Sequence, residues 1–303
     1  MLVESRTDHT KFLQPEVIAK LANMELRARF VVEGFLVGLH KSPYHGFSVE
    51  FAEYRQYNPG DPIKNIDWKA YGRTDRYYIK QFEEETNLRT YILLDASASM
   101  SFASEGQMPK FQYASYLAAS FAYLMQLQKD AVGLTVFDDK IREERPPSST
   151  RVNLFELLRL LERTSPEGKT STANIFGEIA QRIRRRGLVV IISDLYDDPE
   201  TMLGAIKQFR HRGHEVIVFH IVDPLEISFE FKGETVFTDL ESGGKVQTQP
   251  WTIREEYQRK FSDFIDRVRM SCEDSRIDYE LLDTTSTFDV ALMAYLHKRG
   301  KLG

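Results

Sequence analysis

The sequence predicts an α/β protein built on a mostly parallel sheet, because strand-like and helix-like segments alternate from Thr90 onward. Short runs rich in Val, Ile and Leu are typical of strands that are buried on both faces. Longer segments with apolar residues three or four positions apart are typical of helices that cover such a sheet. Strands are expected near 91–95, 132–137, 188–193, 216–222 and 278–283, and helices near 110–128, 152–163, 174–186, 199–211, 252–274 and 287–299.

The first part of the chain has a different pattern. Residues 14–39 carry apolar side chains at mostly helical spacings and predict a helix. Residues 42–85 are rich in tyrosine and phenylalanine, and a turn signal at 58–62 separates two strand-like pieces. We therefore expect an N-terminal helical and β region over 1–88 and an α/β domain over 89–303, with a β-hairpin excursion at about 226–249.

The composition is that of an ordinary globular protein, with 303 residues of which 42% are hydrophobic and 28% are charged. The formal charge of −5 gives no electrostatic reason to expect nucleic acid or an anionic membrane as a partner. A single cysteine, Cys272, excludes an internal disulfide and a Cys-rich zinc site. Neither a secretion signal nor a run of about 20 apolar residues is visible, so we expect no membrane span and a cytoplasmic location.

Polar side chains cluster where the first of the buried strands should end. Asp95, Ser97 and Ser99 directly follow the apolar run 91–94. In an α/β sheet, ligands bind beyond the carboxyl ends of the strands, so these side chains would lie at the binding edge. The small residues between them allow the chain to curl, so that one carboxylate and two hydroxyls can face a single point. That point could hold a hard cation.

Two later segments can supply further oxygen ligands. Thr170 lies in a loop at 168–172, and Asp194 follows the buried run 188–193. If this second strand is parallel to the first, Asp194 emerges at the same edge as Asp95. Magnesium prefers six oxygen ligands, so we expect Mg²⁺, or Mn²⁺ or Ca²⁺ in its place, bound by five residues. These are Asp95, Ser97, Ser99, Thr170 and Asp194. Within the loop, Ser171 and Thr172 also carry hydroxyls, and the choice of ligand there stays open.

This combination resembles the metal-ion-dependent adhesion site of von Willebrand factor type A domains. A second resemblance lies upstream, to bacterial proteins of the domain of unknown function 58 family. It rests on 46–51, 54–57, 59–61, 66–69, Arg73 and 83–85. Together these resemblances imply a Rossmann-like three-layer sandwich and a metal-dependent protein-interaction module that recognises an acidic side chain of a protein partner. They also imply a chaperone-like or maturation role with a MoxR-type AAA+ ATPase.

An enzymatic alternative uses the same residues. A magnesium-dependent hydrolase or phosphotransferase could employ Asp95 as nucleophile or ligand. Phosphatases of that type usually carry a second aspartate two positions on, where this chain has Ser97. The stretch 168–170 also imitates the end of a phosphate-binding loop, but Arg163 stands where that loop needs a glycine. The sequence therefore favours a non-enzymatic adaptor over a magnesium enzyme or a nucleotide-binding protein.

Overall fold

A computed structural model describes residues 13–41, 54–56, 71–72, 76–80, 88–169, 172–231, 233–240 and 243–300. The strands are β1 Tyr54–Gln56, β2 Tyr78–Lys80, β3 Arg89–Asp95, β4 Ala131–Phe137, β5 Ile141–Ser148, β6 Leu188–Ser193, β7 Glu215–Val222, β8 Thr235–Thr238, β9 Lys245–Thr248 and β10 Asp278–Asp283. The helices are α1 Pro15–Ala19, α2 Met24–Lys41, α3 Lys110–Leu127, α4 Arg151–Arg163, α5 Thr172–Arg182, α6 Pro199–His211, α7 Pro224–Ser228, α8 Pro250–Asp274 and α9 Phe288–Gly300, with a 3₁₀ turn at Ala98–Ser101.

A six-stranded sheet forms the centre of the fold, in the order β10-β7-β6-β3-β4-β5. The pairs β10–β7, β7–β6, β6–β3 and β3–β4 are parallel, and β5 runs antiparallel to β4 at one edge. The first strand of this domain, β3, is therefore central and has later strands on both sides. Because β3 and β6 are parallel neighbours, their carboxyl ends meet at the same edge of the sheet.

Helices cover both faces of the sheet, as the side-chain alternation along β6 illustrates. Leu188, Val190 and Ile192 face a core that they share with α2, α3, α4 and α9. Val189 and Ile191 face a second core formed with α5, α6 and α8. The predicted α/β fold with a mostly parallel sheet between two helical layers is thus confirmed. None of the helices within the described ranges combines the length and the hydrophobicity that a membrane span requires.

The N-terminal helical segment packs on the sheet domain. Ala28, Val31, Val32 and Phe35 of α2 are buried in the same core as α3 and α4. The single helix expected over 14–39 is wrong in one respect, because it is interrupted at 20–23 and restarts where the Asn23 side chain accepts the backbone N–H of Leu26. Of the two strand-like pieces, the described parts are β1 and β2, which pair antiparallel. The remaining parts of 42–87, and the division at residue 88, stay predictions.

The predicted strands and helices of the sheet domain are otherwise found within a few residues, with three differences. The edge strand β5 was not predicted, because its sequence is charged and contains Pro146 and Pro147, which are tolerated only at an edge or a bulge. The helix expected over 174–186 ends at Arg182. The excursion at 226–249 does contain a hairpin, β8–β9, but its strands are 235–238 and 245–248.

The start of the excursion is helical for a local reason. Asp223 and Glu226 form a reciprocal capping box around α7, and Pro224 occupies its first turn. These contacts stabilise a helix where the alternation of Ile227, Phe229 and Phe231 would otherwise suggest a strand.

Candidate metal centre at the carboxyl edge of the sheet

Asp95 is the last residue of β3, and its side chain is completely buried. One carboxylate oxygen accepts the backbone N–H of Ser97 at 2.9 Å, and the other accepts the hydroxyl of Ser193 at 2.6 Å. The hydroxyl oxygens of Ser97 and Ser99 lie 3.1 Å apart. The turn after β3 therefore gathers one carboxylate and two hydroxyls, as the sequence pattern predicts.

Asp194 directly follows β6, the parallel neighbour of β3, and is also completely buried. Burial, followed by the nearby negative charge of Asp194, raises the pKa of Asp95 from its ordinary value of 3.8 to about 7. Four of the five predicted ligands, Asp95, Ser97, Ser99 and Asp194, are thus brought to one edge of the sheet.

The loop that carries the fifth predicted ligand is hydrogen-bonded to the turn after β3. The backbone N–H of Ala98 donates to the carbonyl oxygen of Gly168 at 3.1 Å, and the N–H of Glu167 donates to the carbonyl of Ala96 at 2.9 Å. Gly168 has a φ of +85°, and a Cβ there would lie 2.9 Å from a carboxylate oxygen of Asp138. The loop is therefore held in place by backbone contacts up to that glycine.

Thr170 itself lies outside the described residues, as does Ser171. Helix α5 begins at Thr172, whose side chain is also outside the described set. Thr170 as the ligand from this loop therefore stays a prediction. It lies two residues beyond Gly168, whose carbonyl makes the last described backbone contact.

A buried lysine, which sequence reasoning missed, completes the site. The side-chain ammonium of Lys110 lies 2.8 Å from a carboxylate oxygen of Asp194 and 2.7 Å from one of Glu226. The lysine side chain is fully buried. Burial alone would lower the pKa of Lys110, but Asp194 and Glu226 together raise it above its ordinary value, so the ammonium stays charged at neutral pH.

Lys110 also links the sheet edge to the excursion. The ring of Tyr196 lies beneath its ammonium at 4.7 Å. Tyr196 and Tyr257 of α8 both pack against the small core of Val222, Phe261 and Ile265. The Tyr257 ring stacks on Phe229 at 4.1 Å between ring centres. A continuous set of contacts therefore runs from Asp194 to the aromatic residues that support the hairpin.

The charges at this edge fit a divalent cation. Asp95, Asp194 and Glu226 contribute three carboxylates against the one ammonium of Lys110, so these four groups sum to −2 when all are ionised. An uncompensated charge of that size is costly in a buried site, and the raised pKa of Asp95 reflects that cost. No cluster of three or more His, Cys, Asp or Glu arranged for a metal occurs among the described residues. The candidate ligands are two carboxylates and neutral hydroxyls, a set suited to Mg²⁺.

Two of the missed residues had a detectable signal in the sequence. Lys110 is the first residue of α3, where the helix dipole disfavours a cation, so its position requires a negative partner. Glu226 stands three residues after Asp223 in a capping-box pattern. Ser193 precedes Asp194, but nothing in the pattern indicated that its hydroxyl bonds to Asp95 across the strand pair.

Comparison with known sequences shows the family of this chain. A family model described as protein of unknown function DUF58 matches residues 53–264, and the chain belongs to this family. Uncharacterized proteins of Mycobacterium bovis and Mycobacterium tuberculosis are 28% identical over 236 residues, covering 76% of this chain and 72% of theirs.

Solved structures show the same fold. The protein BatB of Bacteroides thetaiotaomicron superposes with a TM-score of 0.50 at 18% identity, over 71% of this chain and all of BatB. An aerotolerance-related membrane protein of Bacteroides fragilis gives a TM-score of 0.50 at 19% identity, over 70% of this chain and 99% of that protein. The VWA domain of SpRpn10 gives a TM-score of 0.38 at 13% identity, over 70% of this chain and 94% of that domain. With the sheet order and the two helical layers, the superpositions on BatB and on the aerotolerance-related protein show a von Willebrand factor A-like sandwich fold.

Proposed function

We propose that this chain is a metal-dependent protein-interaction module. In this proposal one Mg²⁺ ion is bound by Asp95, Ser97, Ser99, Thr170 and Asp194, and an acidic side chain of a partner completes the coordination. The observation that carries the proposal is the pair of fully buried carboxylates, Asp95 and Asp194, at adjacent strand ends. The coarser conclusion, an interaction module, is supported by the von Willebrand factor A-like fold and by the family.

The arrangement suits binding better than catalysis. Two aspartates balance the charge of the dication, and hydroxyl oxygens add ligands without adding charge. The ion therefore keeps enough positive character to attract one more carboxylate at a vacant position. Ser97, rather than a second aspartate, stands two residues after Asp95 and does not favour phosphoryl transfer. Binding to the partner would consequently depend on the metal.

Thermal unfolding with Mg²⁺ or EDTA tests the metal, using Asp95→Asn as the informative variant. Asparagine keeps the size of the side chain but removes the charge that burial and Asp194 disfavour. The variant should therefore be at least as stable as the parent in EDTA. Mg²⁺ at about 100 times its dissociation constant should stabilise the parent by about 2.7 kcal/mol and leave Asp95→Asn unchanged. Asp198→Asn, at an exposed helix cap whose carboxylate accepts the N–H of Thr201 and is not among the proposed ligands, should respond to Mg²⁺ like the parent. An equal response of all three proteins would contradict the proposal.

The partner is proposed to be a MoxR-type AAA+ ATPase. Purified ATPase should bind the immobilised parent protein in Mg²⁺ but not in EDTA, and should not bind Asp95→Asn in either buffer. Turnover of a phosphoester by the parent, lost in Asp95→Asn, would instead support the hydrolase alternative. The cytoplasmic location stays a prediction.

A further inference from the structure

A cavity of about 320 Å³ lies directly beside the proposed metal site. It is lined by Ser99, Phe102, Tyr196, Glu226, Asp239 and Leu240. We call it the side pocket. Ser99 belongs both to the proposed ligand set and to the wall of this pocket. The size is at the lower end of the range for ligand sites, about 300–1,000 Å³, and suits one bulky side chain rather than a cofactor.

The walls of the side pocket come from two separate parts of the fold. Ser99, Phe102 and Tyr196 belong to the sheet edge, whereas Asp239 and Leu240 belong to the turn of the β8–β9 hairpin. That turn is closed by backbone bonds, since the N–H of Asp239 donates to Gly244 at 2.8 Å and the N–H of Gly243 donates to Asp239 at 2.9 Å. The hairpin therefore places Leu240 next to the metal edge.

The hairpin is held in this position by aromatic packing. Phe237 of β8 stacks on Phe229 at 5.5 Å, and Phe231 meets Phe237 edge-on at 4.9 Å. Phe229 in turn stacks on Tyr257, which packs against the same small core as Tyr196 in the wall of the side pocket. The pocket thus has a preformed wall, which lowers the entropic cost of binding.

The residues that line the side pocket determine which kind of side chain can bind there. Phe102, Tyr196 and Leu240 present apolar surface, and 47% of Leu240 is exposed. Glu226 is paired with Lys110, so it offers little attraction to a second cation, and the two carboxylates of the lining repel an acidic side chain. An apolar side chain is therefore the occupant that these walls favour.

Exposed apolar side chains are concentrated around this hairpin. Of the thirteen large hydrophobic residues that are exposed within the described ranges, six lie between 227 and 253. They are Ile227, Val236, Leu240, Val246, Trp251 and Ile253. Such a concentration is typical of a surface that contacts another protein.

We propose that the side pocket receives a bulky apolar side chain of a protein partner, located one or two residues from the acidic side chain that reaches the metal. The proposal rests on the proposed function, because the metal anchors the carboxylate. Successive Cα atoms are 3.8 Å apart, so an extended segment can place one side chain on the ion and a near neighbour in the adjoining cavity. The recognised element is thus an acidic residue with a large aliphatic or aromatic neighbour.

Peptide arrays test this specificity with defined probes. Each peptide contains one aspartate in a background of serine and glycine, and one neighbouring position is varied through all residue types. In excess Mg²⁺ we expect Leu, Phe, Tyr or Trp next to the aspartate to improve binding about tenfold over Ser, and EDTA to remove all binding. Leu240→Asp should abolish the preference. Val152→Asp, the same kind of change at a residue that is 68% exposed at the start of α4, away from the hairpin, should retain it.

The outcomes separate this inference from the proposed function. Magnesium-dependent binding with no preference for an apolar neighbour, or with a preference for Lys or Arg, would contradict the proposed role of the side pocket. It would still agree with a metal-dependent interaction module. If Mg²⁺ stabilises the protein in thermal unfolding but no peptide binds, the proposed role of the side pocket is contradicted, whereas the bound metal ion is not. An equal loss of the preference in Leu240→Asp and in Val152→Asp would also contradict the proposed role of the side pocket. Absence of any stabilisation by Mg²⁺ contradicts both the module and the pocket.

Discussion

Replacing Lys110 by methionine should destabilise the protein far more than removal of an ordinary surface charge. The ammonium is fully buried between Asp194 and Glu226, at 2.8 and 2.7 Å. Methionine fills a similar volume but leaves two carboxylates facing each other without a cation. Breaking a buried ion pair in this way costs about 3–5 kcal/mol of the free energy of unfolding.

Urea denaturation at neutral pH in EDTA measures this cost, with Lys260→Met as the matched control. Lys260 pairs with Glu256 at 2.8 Å, but both side chains are more than half exposed, at 70% and 60%. An exposed pair of this kind is screened by solvent and contributes little to stability. The structure therefore predicts a difference of several kcal/mol between two identical substitutions.

Two further responses should distinguish Lys110→Met from a variant that is simply poorly packed. Its stability deficit should shrink as the pH falls, because protonation of Glu226, whose pKa burial already raises, removes the unpaired charge. Mg²⁺ should stabilise it more than the parent, because the dication replaces part of the lost positive charge beside Asp194. A deficit within about 1 kcal/mol of that of Lys260→Met would refute this account of the buried lysine.

Three other predictions concern the proposed metal site. Ser193→Ala removes the hydroxyl that donates to Asp95 at 2.6 Å, and should weaken Mg²⁺ binding by about 10–100-fold in calorimetric titration while the fold is retained. Gly168→Ala should weaken Mg²⁺ binding because its Cβ meets Asp138, whereas Gly106→Ala, at a similar φ of +78° with nothing within 4 Å, should leave it unchanged. In EDTA, the contribution of Asp95 to stability should fall as the pH rises from about 4 to about 7, because the folded state holds a proton there that the unfolded state has lost. Excess Mg²⁺ should remove that fall in thermal unfolding scans, since the dication keeps the carboxylate ionised. A decline of the same size with and without Mg²⁺ would contradict the placement of the ion.

The sheet could be predicted from the sequence because its parallel strands are buried on both faces. Val189, Val190 and Ile191 are fully buried, so their run is continuously apolar and stands out from the helical segments. The edge strand β5 lacks this property, since none of its 8 residues is fully buried and its pairing depends on a bulge opposite Gly133. Its charged, proline-containing sequence is compatible with a loop until its neighbour is known.

Sequence reasoning found those residues of the candidate site that lie at or just after the end of a buried strand. Asp95 and Asp194 each come directly after an apolar run, and the parallel topology then places both at one edge. Lys110 and Glu226 are 116 residues apart, and their ion pair depends on the relative placement of α3 and α7. A local sequence pattern cannot predict how these two helices are placed relative to each other. The helix-dipole conflict at Lys110 could have indicated a buried negative partner, but not which one.

In the proposed metal centre, one divalent cation lies between the ends of β3 and β6. Crystals soaked in MnCl₂ test it directly, because Mn²⁺ replaces Mg²⁺ and scatters anomalously. We expect a single strong anomalous peak about 2–2.6 Å from oxygens of Asp95, Ser97, Ser99 and Asp194, with the Thr170 hydroxyl on the same ion directly or through water. No peak at this edge in saturating Mn²⁺, or the Lys110 ammonium in the place of the ion, would contradict it.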